Sequence, residues 1–487
     1  MSKFYITTAI DYPSAPPHIG HVYEKVCADV IARWHRNAGD DVFFSTGTDE
    51  HGLKIQRYAS KLKQEPQEFV DKMSGEFIGL WEKLNISYDS FIRTTQDGHM
   101  EIVRDIFKKI YDKGDIYKDW YEGLYCVDCE AFYAEKDLKD SLCPVHNKKL
   151  EEIKEESYFF NMSKYQEKIL EHILDNKDFV RPETRRNEII NRIKEGVRNL
   201  SVSRSSFNWG IRLPMDEKHI IFVWFDALIN YISVLGYPQE RFKRYWPADI
   251  HLIGKDILWF HAMVWPAILL AADIELPKSI FVHGFINIKG EKISKSKGVT
   301  VDPLELINKY GADALRYFLL REIRFGEDGD FSEGAFIKRL NSDLANDLGN
   351  FVYRTLTMIE KYFNGHIPAA VIADGRWKQK LDKFSDEVNL HMSNLDFNLA
   401  LDKIWELINM ANKYIEDTKP WNLVKKENID ALQQFICILV DAIRKISHAI
   451  SPFMPQTAKS ILEQIGKDVI RKGKPLFPRI DILKSEN

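Results

Sequence analysis

The first forty residues constrain the fold more than any other stretch of the chain. Phe4 to Ile10 is β-branched and aromatic, Asp11 to Pro17 holds three prolines, and from Gly20 to Arg36 the apolar residues Val22, Val26, Val30 and Ile31 recur at helical spacing. A strand, a Pro-rich turn and a helix in that order begin an α/β unit. A second strand is predicted at Asp41 to Ser45, leading into Thr46-Gly47-Thr48-Asp49-Glu50-His51-Gly52, with helices to about Lys113. From Ile116 to Leu213 the texture changes to Tyr and Cys pairs, short strands and a charge-rich helix near Lys164 to Asn176. The α/β pattern resumes at His219 to Phe225 and Asp249 to Ile253, predicted as strands returning to the first sheet.

From Phe336 onward strands largely vanish. Leu340 to Phe363, Asp382 to Ser393, Ala400 to Asp417 and Asp430 to Ile450 carry amphipathic patterns, and Leu401, Ile404, Trp405 and Ile408 form one apolar stripe. The expected fold is therefore α/β: a split Rossmann-like parallel-sheet domain with an insertion, followed by an all-α helix bundle. At 487 residues, 45% hydrophobic and 29% charged, the chain can bury several cores. A net charge of -4 does not advertise a nucleic-acid partner, although a local basic face can act where a net charge cannot. No signal peptide is read at the N-terminus, and the longest apolar stretch, Ala262 to Ala272, is too short to span a bilayer.

Two segments carry phosphate chemistry. His18-Ile19-Gly20-His21 falls where the first turn meets a helix N-terminus, a place that favours anions. Gly20 lets a purine approach the backbone, and two imidazoles can donate to a phosphate whose charge grows in the transition state. Taken alone, the same four residues also read as surface histidines beside a turn. Lys292-Ile293-Ser294-Lys295-Ser296-Lys297-Gly298 is a basic loop able to wrap ATP phosphates, and alone it also reads as a solvated lysine patch. No Walker A sequence is present, since Gly254-Lys255 is followed by Asp256.

The five cysteines are Cys27, Cys126, Cys129, Cys143 and Cys437. Cys126-Val127-Asp128-Cys129 and Cys143-Pro144-Val145-His146 form two pairs with two residues between ligands, so Cys126, Cys129, Cys143 and His146 suggest a structural Zn²⁺ site with all four positions filled. A lost site with leftover cysteines is the alternative.

Together the two phosphate segments resemble the HIGH and KMSKS signatures of class I aminoacyl-tRNA synthetases, with Ile293 in place of the usual Met. The resemblance is closest to the methionyl-tRNA synthetase family and covers nearly the whole chain. Its landmarks are Ala9-Ile10-Asp11-Tyr12, Gly47 to Gly52, Val223-Trp224-Phe225-Asp226-Ala227, Gly254-Lys255-Asp256-Ile257, His261, Trp265 and Asp328-Gly329-Asp330-Phe331-Ser332. It implies activation of methionine by ATP, with Mg²⁺, to methionyl-adenylate and pyrophosphate, then transfer to tRNA(Met). His18 and His21 would act on the α-phosphate, Lys292 and Lys295 on the departing pyrophosphate, with Gly20, Ser294 and Ser296 completing the ATP site. Asp49 would pair with the methionine ammonium. Ala9, Ile10, Tyr12, Trp224, Ala227, Leu228, Tyr231, Ile257, His261 and Trp265 would line the pocket. The Ile10 N–H and the Tyr231 hydroxyl would meet the thioether. Asp256 would hold the ribose or reactive carboxylate. Leu228 departs from the proline common in some members. Asn350, Arg354 and Trp421 would read the anticodon, Trp421 by stacking.

The expected domains are residues 1–115 and 219–280 for the split catalytic domain, 116–218 for the zinc-bearing insertion, 281–335 for the KISKS loop and stem-contact region, and 336–487 for the anticodon-binding bundle. An insertion of about a hundred residues leaves no room for the large editing domain of isoleucyl, valyl and leucyl relatives. A cytoplasmic monomer without the C-terminal dimerising extension of some members is expected. The competing readings are a cysteinyl-type or other class I enzyme and a noncatalytic zinc-containing RNA-binding scaffold.

Overall fold

The computed structural model describes residues 2–127, 131–133, 138, 140–144, 147–288, 290–292, 301–369 and 372–480. The chain divides into two compact units. One comprises Met1–Pro17, His35–Glu82 and Ser87–His283; the other comprises His18–Trp34, Lys83–Ile86 and Gly284–Asn487.

The first unit is built on a six-stranded parallel sheet in the order Ser90–Arg93, Asp41–Thr48, Lys3–Thr8, Ile250–Gly254, Ile280–His283, Val180–Arg181. Lys3–Thr8 is central and almost wholly buried, which is why its sequence runs apolar and β-branched without alternation. Ile6 pairs with Phe44 on one side and Ile250 on the other. Gly47 stands opposite Ile92, and a Cβ at Gly47 would lie 2.0 Å from the Ile92 carbonyl oxygen, so this close approach admits only glycine.

The predicted strand at Asp249 to Ile253 is present as Ile250–Gly254. The one at His219 to Phe225 is not. Only Ile220–Ile221 is extended, and it pairs antiparallel with Ser203–Arg204, outside the parallel sheet. Val223–Leu228 is a helix, begun by the Phe222 carbonyl, which accepts the N–H groups of Phe225 and Asp226 at 2.9 and 3.0 Å. A short, continuous apolar run reads the same for a buried helix as for a buried strand, so periodicity could not separate them. Ser90–Arg93 interrupts the stretch expected to be helical up to Lys113, and Val180–Arg181 and Ile280–His283 were not singled out by pattern; the three strands are four, two and four residues long.

Between the halves of this sheet a second sheet is antiparallel, in the order Ala131–Tyr133, Ile116–Cys126, Glu151–Phe160, Leu200–Ser201. Val180–Arg181, which lies within residues 116–218, joins the parallel sheet beside Ile280–Phe281.

In the second unit a three-stranded sheet, ordered Glu291–Lys292, Ile286–Ile288, Gly329–Phe331, precedes the helices. These include Asn350–Phe363, Gly375–Ser393, Phe397–Thr418, Ile429–Ile450 and Pro455–Ile465. Leu401, Ile404, Trp405 and Ile408 are all buried on Phe397–Thr418, as their spacing predicts. A buried ion pair, Asp29 to Arg316 at 2.7 Å, lies in this unit, and the guanidinium also donates to the carbonyls of Leu84, Pro452 and Phe453. All three guanidinium nitrogens are thereby engaged, as a charge without water requires. Among the described residues no helix is long and apolar enough to cross a membrane.

Candidate active site

Three neighbouring parallel strands of the first unit end at the residues singled out by sequence. Lys3–Thr8 runs into Ala9, Ile10 and Tyr12; Asp41–Thr48 runs into Asp49; Ile250–Gly254 runs into Asp256 and Ile257. Because the strands are parallel, these ends lie along one edge of the sheet, where open α/β sheets bind ligands. Backbone hydrogen bonds fix the edge: Ala9 N–H donates to Leu252 O at 3.1 Å, Asp11 N–H to Gly47 O at 2.8 Å, and Asp49 N–H to Asp11 O at 2.8 Å. The Ile10 N–H, between two engaged amides, has no acceptor among the described residues.

An aromatic cluster fills the adjoining core. Tyr231, His251, His261 and Trp265 are buried, with Tyr231 ring centroids 4.2 Å from His251, 5.7 Å from His261 and 5.9 Å from Trp265. Trp224 stacks on Phe260 at 3.8 Å and 5°. Ala227 and Leu228 are buried on Val223–Leu228. His261 sits in Phe260–Val264, a widened π-helical turn of the kind that often marks functional sites. Its Nδ1 lies 3.0 Å from Ile257 O, an acceptor only, so Nδ1 carries the proton. Nε2 and the Tyr231 hydroxyl are hydrogen-bonded to each other at 2.7 Å. The hydroxyl expected to meet a thioether is thus also bonded to His261.

His251 is neutral. Trp265 Nε1 donates to its Nε2 at 3.3 Å, and its Nδ1 faces Thr7 Oγ1 at 2.7 Å. Burial, reinforced by the charge of His261, holds the His251 imidazole well below its ordinary value.

Several supporting residues carry no sequence expectation. The Asp226 carboxylate accepts from His51 Nδ1 and His99 Nε2, both at 2.7 Å, and His99 Nδ1 meets Ser233 Oγ at 2.7 Å. Burial alone would raise Asp226, but the charges and hydrogen bonds of His51 and His99 outweigh it and hold the carboxyl below the usual range. Glu50 accepts from Arg93 at 2.6 and 3.0 Å, and from Ser74 and Thr95. Trp209 Nε1 donates to Glu50 O at 2.7 Å. Glu50 and His51, the two residues that follow Asp49 in the sequence, are thus held from several elements.

In the second unit, His18 and His21 open the helix Ile19–Asn37. Their rings stack at 3.8 Å; His18 N–H donates to His21 Nδ1 and Gly20 N–H to His18 Nδ1, each at 3.1 Å. With both Nδ1 atoms accepting, a neutral ring carries its proton on Nε2, the tautomer that donates away from the backbone. Glu291–Lys292 is paired antiparallel to Ile286–Ile288, with Lys292 opposite Asn287. Asp328 and Asp330 accept from Phe285 N–H at 2.9 Å and Gly290 N–H at 2.7 Å, bracing the base of the basic loop. Ser294, Lys295 and Ser296 lie outside the described residues, as do Cys129 and His146. Asn350 and Arg354 lie on Asn350–Phe363. Trp421 follows Pro420 in the short helix Pro420–Lys425 and is 46% exposed, so it is not packed into the bundle.

Cys126 and Cys143 are both buried. Cys126 ends a strand; Cys143 heads a tight turn in which Asn147 N–H donates to Cys143 O at 2.8 Å and Cys143 N–H to Lys148 O at 2.9 Å. Two buried thiols on such knuckles fit the donor chemistry of a tetrahedral zinc site.

The family described as tRNA synthetases class I (M) matches residues 4–151 and 134–356, and the anticodon-binding domain of tRNA ligases matches 377–480. The chain belongs to the class I aminoacyl-tRNA synthetases. Methionine–tRNA ligase of Caldanaerobacter subterraneus subsp. tengcongensis is 49% identical over 99% of this chain and 79% of its own length. That of Thermotoga maritima is 43% identical over 98% and 80%. Mycobacterium tuberculosis methionyl-tRNA synthetase, solved in complex with methionyl-adenylate, superimposes with a TM-score of 0.95 at 40% identity, over 98% of this chain and 100% of that one. Within the class, the chain is a member of the methionine–tRNA ligase family. These likenesses favour the methionyl reading over the cysteinyl one and the scaffold.

Proposed function

We infer that the chain carries out the family's reaction, ATP-dependent activation of L-methionine followed by transfer to tRNA(Met), and that the expected residues carry it. The observation that most supports this is the convergence of Ile10, Asp49 and Ile257 at three adjacent strand ends, beside an aromatic cluster around Tyr231. An apolar, polarisable chamber with one carboxylate and one spare amide suits the methionine side chain and ammonium.

In this reading Asp49 holds the ammonium, Ile10 N–H meets the thioether, and Ala9, Tyr12, Trp224, Ala227, Leu228, Ile257, His261 and Trp265 shape the pocket. Tyr231 is a positioning residue that keeps His261 in one tautomer. Asp256, exposed at the strand end, serves the ribose or the reactive carboxylate. The methionine carboxylate attacks the ATP α-phosphorus in line, the new acyl–phosphate bond forms, and the bond to pyrophosphate breaks. No covalent enzyme intermediate is required, so positioning and electrostatics supply the rate. His18 and His21, with Nε2–H directed outward, donate to the α-phosphate oxygens; Lys292, Lys295 and the serines of the loop take the pyrophosphate charge. Mg²⁺ arrives with ATP. The terminal ribose hydroxyl of tRNA then attacks the acyl carbon and releases AMP.

Cys126, Cys129, Cys143 and His146 would hold one zinc ion, which fixes the insertion of residues 116–218 and takes no part in the chemistry. Asn350, Arg354 and Trp421 would read the anticodon, and the exposure of Trp421 supports a stacking role. A monomer working in the cytoplasm completes the reading. Incubation with ATP, methionine and pyrophosphatase should accumulate about one equivalent of bound methionyl-adenylate per chain, which tRNA(Met) discharges. Absence of any bound adenylate would contradict this function.

A further inference from the structure

We propose that Asp226 is a positioning residue that sets methionine affinity, by locking His51, and with it the segment carrying Asp49, onto the helix Val223–Leu228. This role rests on the strand-end site being a methionine site, and adds to it a group that acts through another side chain. His51 is the node. Its carbonyl accepts the Tyr12 hydroxyl at 3.0 Å, and its Nδ1 meets Asp226 Oδ2 at 2.7 Å. Asp49, two residues earlier, donates its N–H to Asp11 O at 2.8 Å. Asp226 in turn shares its short helix with Trp224, Ala227 and Leu228. The end of Lys3–Thr8, the segment after Asp41–Thr48 and the pocket helix therefore meet at one residue.

The carboxylate is there to hold and not to pack. Asp226 is fully buried, and a buried charge costs more than an apolar side chain of its size. Burial pushes its pKa up, yet the charges and hydrogen bonds of His51 and His99 keep it below the usual carboxylate range. An ionised carboxylate only accepts, so His51 Nδ1 and His99 Nε2 each present a proton to it, both at 2.7 Å. His99 lies on the helix Asp97–Asp112, and its Nδ1 is anchored 2.7 Å from Ser233 Oγ. One imidazole fixes the carboxylate, and the carboxylate fixes the other.

Apolar contacts would fill the same volume but let the segment slide. Two charge-assisted hydrogen bonds define it to within the roughly 0.5 Å that a binding constellation requires. Glu50 ties the same segment to Arg93 at the end of the neighbouring strand, while His51 ties it to the pocket helix. Asp49, which meets the ammonium, is thereby held in register with Trp224, Ala227 and Leu228, which meet the side chain. The ATP phosphates make no use of this link, so its loss should fall on methionine.

The test follows methionine-dependent pyrophosphate exchange, equilibrium dialysis of labelled methionine and melting temperature in the full chain and in D226N, H51A and H51N. D226N keeps the side-chain shape but turns one acceptor into an NH2 donor, so one imidazole N–H faces another donor. Its KM and Kd for methionine should rise about tenfold, the scale of one lost charge-assisted bond, while the KM for ATP stays within about twofold. H51A removes the node and should show the same split. H51N should return the methionine KM to within about threefold of the parent, because its amide nitrogen can stand where Nδ1 stands and donate to Asp226. An unchanged methionine KM in D226N would overturn the proposal. So would equal rises for methionine and ATP with a lowered melting temperature, the mark of a general packing defect. H51N as impaired as H51A would place the function on Nε2 and overturn it too. If D226N fails to fold, the comparison of H51A with H51N decides alone. Absence of methionine-dependent exchange in the parent chain would instead refute the methionine reading, which a defect confined to the variants leaves standing.

Discussion

The Tyr231 hydroxyl lies 2.7 Å from His261 Nε2, while His261 Nδ1 faces the Ile257 carbonyl oxygen at 3.0 Å. The Nδ1 thus carries a proton, and the phenol is tied to the other ring nitrogen. Tyr231→Phe keeps the ring packing and leaves Nε2 without that partner, at a cost of about 1–3 kcal/mol for a buried polar atom. The KM for methionine in pyrophosphate exchange should rise about tenfold or more while the KM for ATP holds. A variant with unaltered methionine KM would remove this bond from the account of specificity.

His251 makes a pH prediction. In the fold burial holds it neutral, well below its ordinary value, whereas the unfolded chain binds a proton near pH 6.5. The unfolded state therefore binds more protons below about pH 6.5, and stability must fall as pH falls, by at most about 1.4 kcal/mol per pH unit from this group. Protonation would also set a second N–H against Trp265 Nε1. Urea unfolding at pH 7.5 and 5.5 should show a shallower pH dependence in His251→Gln than in the parent. Equal slopes would contradict the assignment.

Trp421 is 46% exposed, so removing it costs the bundle little. Trp421→Ala should leave the melting temperature and pyrophosphate exchange nearly unchanged. Charging of tRNA(Met) should fall about ten- to hundredfold, the worth of one base–aromatic stack at roughly 1–3 kcal/mol. Equal losses in both assays would point to a fold defect and not to an anticodon role.

Cys126 and Cys143 are buried in the antiparallel module. Purified protein should contain about one zinc per chain, and Cys143→Ser should release it and lower the melting temperature. Zinc-free protein of unchanged stability would show that the four positions no longer bind metal.

Much of this organisation was legible in the sequence because it follows from local pattern. The first strand, turn and helix, the stripe of Leu401, Ile404, Trp405 and Ile408, and the strand at Ile250–Gly254 all follow from hydrophobic spacing. What escaped depends on long-range pairing. Val180–Arg181 is too short to leave a periodic trace, and its role exists only through Ile280–Phe281. Val223–Leu228 reads equally as strand or helix until Asp226 is seen to meet His51 and His99, 175 and 127 residues away in the chain. Side-chain roles were hardest: the family resemblance put Tyr231 in a pocket, but its hydrogen bond to His261, 30 residues on, has no trace in local pattern.

The central claim is that the strand-end site activates methionine. Amino-acid-dependent ATP–pyrophosphate exchange tests it most directly. The account predicts strong exchange with methionine, none with cysteine, and its loss in His21→Ala with tRNA binding retained. Exchange with cysteine and none with methionine would contradict it.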